Sequence, residues 1–343
     1  MFAKKNLIAV AALATLAVSA QAQSSVTLYG NVDVGLTSIK TKSTPANPAV
    51  DGTVTGVTSS ILTESFFGLK GQEDLGGGLK AIFKLESFID VDTGATTAGN
   101  FFGKNAYVGL AGDFGTVKLG NQESLFKTEA AAFDAFGVSP VLAVSKLFVD
   151  SESWQNTIGY TSPNLSGLTL SAQHSAKENG KAVAAGQVNG GATAVAANYT
   201  VGALGLSAVY GDVRSVNASV AAEQNQTWLL GASYDFGVVK AFAQYGQNKA
   251  EDAAGADVSK DKFYQVGAVV PVTQAGSVHA AFGQVKTSFP VGADAKERQF
   301  SLAYHHALSK RTSVYAGGTY AKWEQAAAEE KITTLAVGVR HAF

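Results

Sequence analysis

The residues of this 343-residue chain that could do chemistry are scattered, and the pattern of scatter is informative. His305 and His306 are adjacent. In an extended segment neighbours point to opposite faces, so the two cannot chelate one ion. His174, His279 and His341 have no spaced partner of the kind a metal site needs. The absence of cysteine removes disulfides and thiolate metal sites together. Serine is frequent, but no spacing singles one out as a nucleophile beside a base. Gly76-Gly77-Gly78 opens no helical pattern, so it is turn glycine and not a phosphate cradle. What remains is fixed charge. The stretch from Gln122 to about Glu152 carries Glu123, Glu129, Asp134, Asp150 and Glu152 against Lys127 and Lys146, and Lys70, Lys80 and Lys84 precede it. Such groups break no bonds, but between low-dielectric walls they set the energy of a passing solute. The expectation is no catalytic residue, no cofactor and no metal.

These charges must be carried on a framework, and both ends of the chain help to define it. Lys4 and Lys5, the apolar run Leu7–Val18 and the small-x-small triplet Ala20-Gln21-Ala22 have the form of an export signal, predicted to span residues 1–22 and to leave a mature part over 23–343. The run is shorter than the ~20 residues a membrane-spanning helix needs. Beyond it, no segment reaches ~18 uninterrupted apolar residues. Lysine and arginine number 26 against 27 aspartate and glutamate, which gives no basic footprint for nucleic acid. Glycine and aromatic residues are common, while methionine and proline are scarce, a composition of strands and turns.

Period-two alternation dominates the sequence. Trp228, Leu230, Ala232, Tyr234 and Phe236 share one parity against Thr227, Gly231, Ser233 and Asp235. Leu79, Ala81, Phe83 and Leu85 alternate with Lys80, Lys84 and Glu86. The pattern predicts about sixteen strands, the first near 25–39 and the second near 60–71. Seven connections are short, among them 73–77, 112–114 and 202–203, and they interleave with eight longer ones. Short turns on one side and long loops on the other are the layout of a membrane barrel. The prolines sit in loops, a turn and a strand end, where a missing N–H costs no ladder bond. Lipid offers no hydrogen bonds, so a strand-built span must close on itself, and at about sixteen strands its interior is too wide for side chains to fill. The fold expected is all-β: one transmembrane antiparallel barrel of about sixteen strands. In the last strand Leu335, Val337, Val339 and Phe343 share a parity, which resembles a signal for the barrel-assembly machinery, read through Phe343.

At the level of motifs the chain resembles the general-diffusion trimeric porins of Gram-negative outer membranes, in their beta-proteobacterial branch. The resemblance is carried by Val26-Thr-Leu-Tyr-Gly30, Phe67-Gly-Leu-Lys-Gly71, the run Glu73–Phe83, Ala106-Tyr-Val-Gly-Leu110, Phe114–Gly120, Asn156–Pro163 and the tail Val339–Phe343. It implies a homotrimer in outer-membrane lipid and lipopolysaccharide, each barrel a passive channel for small hydrophilic solutes and ions. It also implies that the long third loop folds into the lumen and narrows it, with a constriction between wall arginines and carboxylates of that loop. This chain departs from that pattern. The wall positions hold Asn31, Phe66, Lys104, Asn121 and Ser153, of which only Lys104 is basic, with Lys84 at lumen parity. Glu123, Glu129 and Asp134 stand on the loop side. The expectation is weak cation preference or none. A substrate-specific porin for a small organic solute shares the barrel, and an outer-membrane enzyme or an adhesin would share the alternation.

Overall fold

The computed structural model describes residues 25–45, 47, 49–96, 100–148, 153–177, 191–214, 224–252 and 254–343. The expected export signal, together with Asp150 and Glu152, lies outside the described residues. Among those described, seventeen strands form one antiparallel sheet, and its ends meet. They are β1 (Ser25–Thr44), β2 (Gly52–Ser59), β3 (Phe66–Gly76), β4 (Leu79–Phe88), β5 (Asn105–Gly112), β6 (Gly115–Glu123), β7 (Ser153–Thr161), β8 (Leu168–Ser175) and β9 (Ala192–Val201). The second half holds β10 (Leu204–Arg214), β11 (Gln224–Asp235), β12 (Lys240–Glu251), β13 (Asp257–Pro271), β14 (Gly276–Ser288), β15 (Ala295–Ala307), β16 (Thr312–Gln325) and β17 (Ala328–Ala342).

Closure is made by β1. One of its edges pairs with β17, from Asn31↔Ala342 to Thr44↔Glu329. The other edge is shared: Ser25–Asn31 pairs with β3 and Val34–Thr41 with β2. So β2 and β3 fill the place of one stave, interrupted at 60–65, and the barrel has sixteen. The first two predicted strands need correcting accordingly. β1 runs on to Thr44, β2 lies where a loop was expected, and residues 60–65 are the break. The physical cause is Asp33, whose Oδ2 accepts the backbone N–H groups of Leu62 and Thr63, each at 2.6 Å.

The strands on the long-loop side also run further than alternation suggests. β16 and β17 join through Ala326 and Ala327 alone, where a longer connection was expected. Cross-strand ion pairs hold these extensions, including Lys322–Glu329 at 2.5 Å and Lys249–Asp257 at 2.8 Å. A spanning strand needs ~9–11 residues, so strands of this length project beyond the hydrocarbon.

Burial is the inverse of a soluble protein's. Leu28, Val108, Ile158, Val195, Leu230, Val266, Leu302 and Leu335 are exposed. On the opposite parity Gln173, Ser207, Gln244, Gln265, Gln299, Ser301 and Thr334 are buried. An aqueous sandwich would strand its apolar face in water at ~25 cal/mol per Å². In lipid the same face is solvated and every backbone group pairs around the ring.

Candidate functional site: a charged constriction inside the barrel

The inner parity of β8–β15 is covered by the connection between β6 and β7. It opens with helix α1 (Leu125–Ala132), whose N-cap Ser124 accepts the N–H of Lys127 at its side chain. Leu125, Phe126 and Ala130 pack on inner-face Ala192, Ala194 and Ala196 of β9 and on Leu229 and Phe263. Further along, Ala135, Phe136, Leu142 and Val144 pack on Phe242, Ala281 and Ala303. Small residues on the wall let the loop approach. At Gly231 an added Cβ would lie 2.7 Å from Cγ of Phe133.

The loop backbone is then bound by glutamines of the wall. Gln244 Nε2 donates to the Ala130 carbonyl at 2.7 Å, and Gln265 Nε2 to that of Phe133 at 2.9 Å. Gln299 reaches the carbonyls of Leu142 and Ala143. Gln173 does both jobs, donating to the Glu123 carbonyl and accepting the N–H of Leu125. Sequence reasoning singled out none of these glutamines as a loop anchor. Their mid-strand recurrence at the polar parity was the signal.

Each expected loop acid among the described residues has a definite place. Glu129 accepts from Asn198 Nδ2 and Ser207 Oγ, at 2.9 and 2.7 Å. Asp134 folds the loop on itself, accepting the N–H groups of Phe136 and Ser145. Burial pushes its carboxyl up from the ordinary value, against those two hydrogen bonds. Glu123 ends β6 and accepts from Lys104 Nζ at 2.7 Å, with Lys127 Nζ at 3.2 Å.

The residue that completes this cluster is Glu64, which sequence reasoning missed. It lies in the break between β2 and β3. Its Oε2 accepts from Lys104 Nζ at 2.5 Å and its Oε1 from Lys127. Two lysines and two glutamates therefore form one four-membered array, with Lys104 and Glu64 buried and Glu123 and Lys127 partly exposed. Phe66 and Phe88 flank it, with Lys104 Nζ 5.4 and 5.1 Å from the two ring centroids. Ser153 braces the array by donating to the Lys104 carbonyl at 2.9 Å. Asn31 is buried on the same inner wall, donating to the Glu64 carbonyl and accepting from Arg340 Nε. Lys84, partly exposed, is 3.4 Å from the buried Glu86, which also accepts from Tyr29 and Asn105.

Asn121 does not join them. The ladder shifts register between Gly120 and Gln122, and Asn121 pairs with Ala106 on the face of Val108. Its amide donates to the carbonyls of Phe102 and Gly103. Of the histidines, His305 and His306 point to opposite faces: His305 is ring to ring with inner-wall His279, and His306 bonds Tyr304 outside.

A closed sixteen-stave barrel with an apolar outside, a polar inside and a charged loop across its lumen defines an outer-membrane channel. The chain belongs to the Gram-negative porin family, whose profile matches residues 9–326. It is 31% identical to an outer membrane porin protein of Bordetella pertussis and 32% to outer membrane porin protein 32 of Delftia acidovorans, in each case over 99% of this chain and 100% of the relative. Among solved structures, an anion-selective porin from Comamonas acidovorans superposes with a TM-score of 0.81 at 29% identity, over 93% of this chain and 100% of that one. The protein is thus an outer-membrane β-barrel and a passive diffusion channel.

Proposed function

We propose that this channel passes small hydrophilic solutes with little discrimination between anions and cations, and that the narrow zone is lined by the Lys104–Lys127–Glu64–Glu123 array. The observation that carries this reading is the pairing within that array. Two cations and two anions in mutual contact cancel at the distance of a passing ion. Glu129 and Asp134 are committed to wall and loop hydrogen bonds, so they add little acid to the path.

Charge on the rest of the inner wall is split along the axis. On the short-turn side Lys70 lies opposite Lys84, and Lys118 and Arg340 share the inner face with them. On the long-loop side Asp261, Glu297 and Glu330 have inner parity, with Lys146 of the loop facing Glu297. Such a profile has two consequences: weak net selectivity and a current that depends on the sign of the voltage at low salt, where screening lengths approach pore dimensions. The test is a planar bilayer with a tenfold KCl gradient, about one decade of activity across the pore. A reversal potential near zero supports the reading, and one near the Nernst value for either ion overturns it. The second reading is anion preference, favoured by Lys70, Lys84, Lys118 and Arg340 and by the similarity to the anion-selective Comamonas porin.

The assembly we propose is a homotrimer, as the family resemblance implies. Cross-linking of the protein in its native membrane, with three-fold mass as the readout, tests it. Substrate specificity would appear as saturable solute block of the current.

A further inference from the structure

The outer wall has a feature that conduction does not use. Across β7–β11 the lipid-facing side is hollowed into an apolar groove of about 560 Å³. Its floor is Ala172, Ala197 and Ala208, and Tyr160, Tyr210 and Trp228 stand around it. Immediately along the same strands lies a second, polar hollow of about 350 Å³ lined by His174, Lys177, Thr193, Asp212 and Arg214. The register shows that the two are continuous. Ala172 pairs with Val195 and Val195 with Tyr210; two residues on, His174 pairs with Thr193 and Thr193 with Asp212. Two residues of strand are ~7 Å, so the polar hollow starts where the apolar one ends.

The side on which this happens is defined by the connections. β8 and β10 leave the short turns at 162–167 and 202–203 and reach the polar hollow at their far ends, the outward side of a barrel of this layout. The hollow offers donors and positive charge. Arg214 and Lys177 are exposed, and Thr193 contributes a hydroxyl that meets His174 Nδ1 at 2.9 Å. Among the described residues one carboxylate faces them: Asp212, 3.5 Å from Arg214 Nε and hydrogen-bonded by Gln224. Two cations against one anion leave a net positive site. Arginine and lysine beside a hydroxyl suit phosphate oxygens.

We propose that this composite hollow binds one acyl lipid with a phosphorylated headgroup from the outer leaflet, its chain over the alanine floor and its phosphate between Lys177 and Arg214. The occupant must be apolar at one end and anionic at the other, with the anionic end outward, and a membrane lipid meets all three conditions. The lipid then covers a stretch of the outer face where the alanine side chains are too short to fill the bilayer boundary themselves.

Trp228 in the groove wall supplies the test. The protein is reconstituted in phosphatidylcholine vesicles containing a small fraction of either dibrominated phosphatidic acid or dibrominated phosphatidylcholine, and tryptophan quenching is compared. The expected result is about five-fold stronger apparent association of the phosphatidic acid, the worth of one net basic side chain at a lipid surface. The excess should vanish in the Lys177→Gln/Arg214→Gln variant, whose conductance and heat-modifiable migration stay as in the parent, and in Trp228→Phe, which removes the reporter. Free inorganic phosphate should not displace it. Equal quenching by the two lipids overturns the proposal. So does an excess that survives either variant, competition by inorganic phosphate, or absence of quenching by both lipids, which would mean that protein covers this face.

Discussion

The carboxylate of Glu64 lies 2.5 Å from the ammonium of Lys104, forty positions further along the chain, and both are buried. Each offsets the cost of taking the other out of water. Removing one partner of a buried pair costs about 3 kcal/mol or more, because the other is left uncompensated. Glu64→Gln should therefore leave an excess of one positive charge in the array and move the reversal potential toward anions. The double variant Glu64→Gln/Lys104→Gln should return it toward the parent value. Bilayer measurements on the three proteins check this, and additive shifts would contradict the coupling.

Phe66 occupies the inner wall beside the same array, edge-on to Tyr29 at 5.8 Å. Phe66→Arg adds an uncompensated cation there, so the expected outcome is a larger anion permeability than in the parent. Phe66→Ala should leave selectivity unchanged while raising single-channel conductance, since it removes bulk and no charge.

The glutamine contacts make the position of the loop testable. Gln265→Leu strands the Phe133 carbonyl and deletes one of the bonds that hold the loop to the wall. Losing such a buried bond costs about 1–3 kcal/mol. The barrel keeps its own ladder, so thermal unfolding should change little. The open-channel current should instead become noisier, and more so in Gln244→Leu/Gln265→Leu.

Asp134 gives a pH dependence with a defined sign. Its folded-state pKa is raised by burial, so its contribution to stability is complete below the ordinary carboxyl value and falls as pH rises through the raised one. Acidification alone should not release this segment of the loop by protonating Asp134. Open-channel noise compared at pH 4 and pH 7, about three units apart across that range, is expected to show no acid-induced increase from this residue, with Asp134→Ala as the noisy reference.

The outline of the barrel was legible because it rests on local properties. Alternation at Trp228–Phe236 or Leu79–Glu86 assigns faces without knowledge of any neighbour. The stave formed by β2 and β3 was not legible, because its break is imposed by Asp33 on Leu62 and Thr63 about thirty positions away. Glu64 was missed for the same reason: nothing near it in sequence shows that it meets Lys104 and Lys127. The loop acids were recognisable as a group, but their individual partners were not: those of Glu129, Asn198 and Ser207, come from strands far downstream, and those of Asp134 from the folded loop itself. Asn121 departs from its expected position because it keeps the parity of Val117 and Leu119 in an unbroken ladder with β5, which faces away from the lumen.

The seam of the barrel brings the chain's last residue against one of its earliest described strands. Gly30 and Phe343 exchange backbone hydrogen bonds at 3.2 and 3.1 Å, and a Cβ at Gly30 would lie 2.5 Å from the Phe343 ring. Gly30→Val should block this approach, and the sign would be loss of the heat-modifiable folded band. The seam also imposes an order of events. The ring cannot be shut before β17 has arrived to pair with β1, so a copy that lacks it remains an open ribbon with two adhesive edges. Arrival of that strand and closure of the wall are a single event, and a copy without it carries its own mark of rejection.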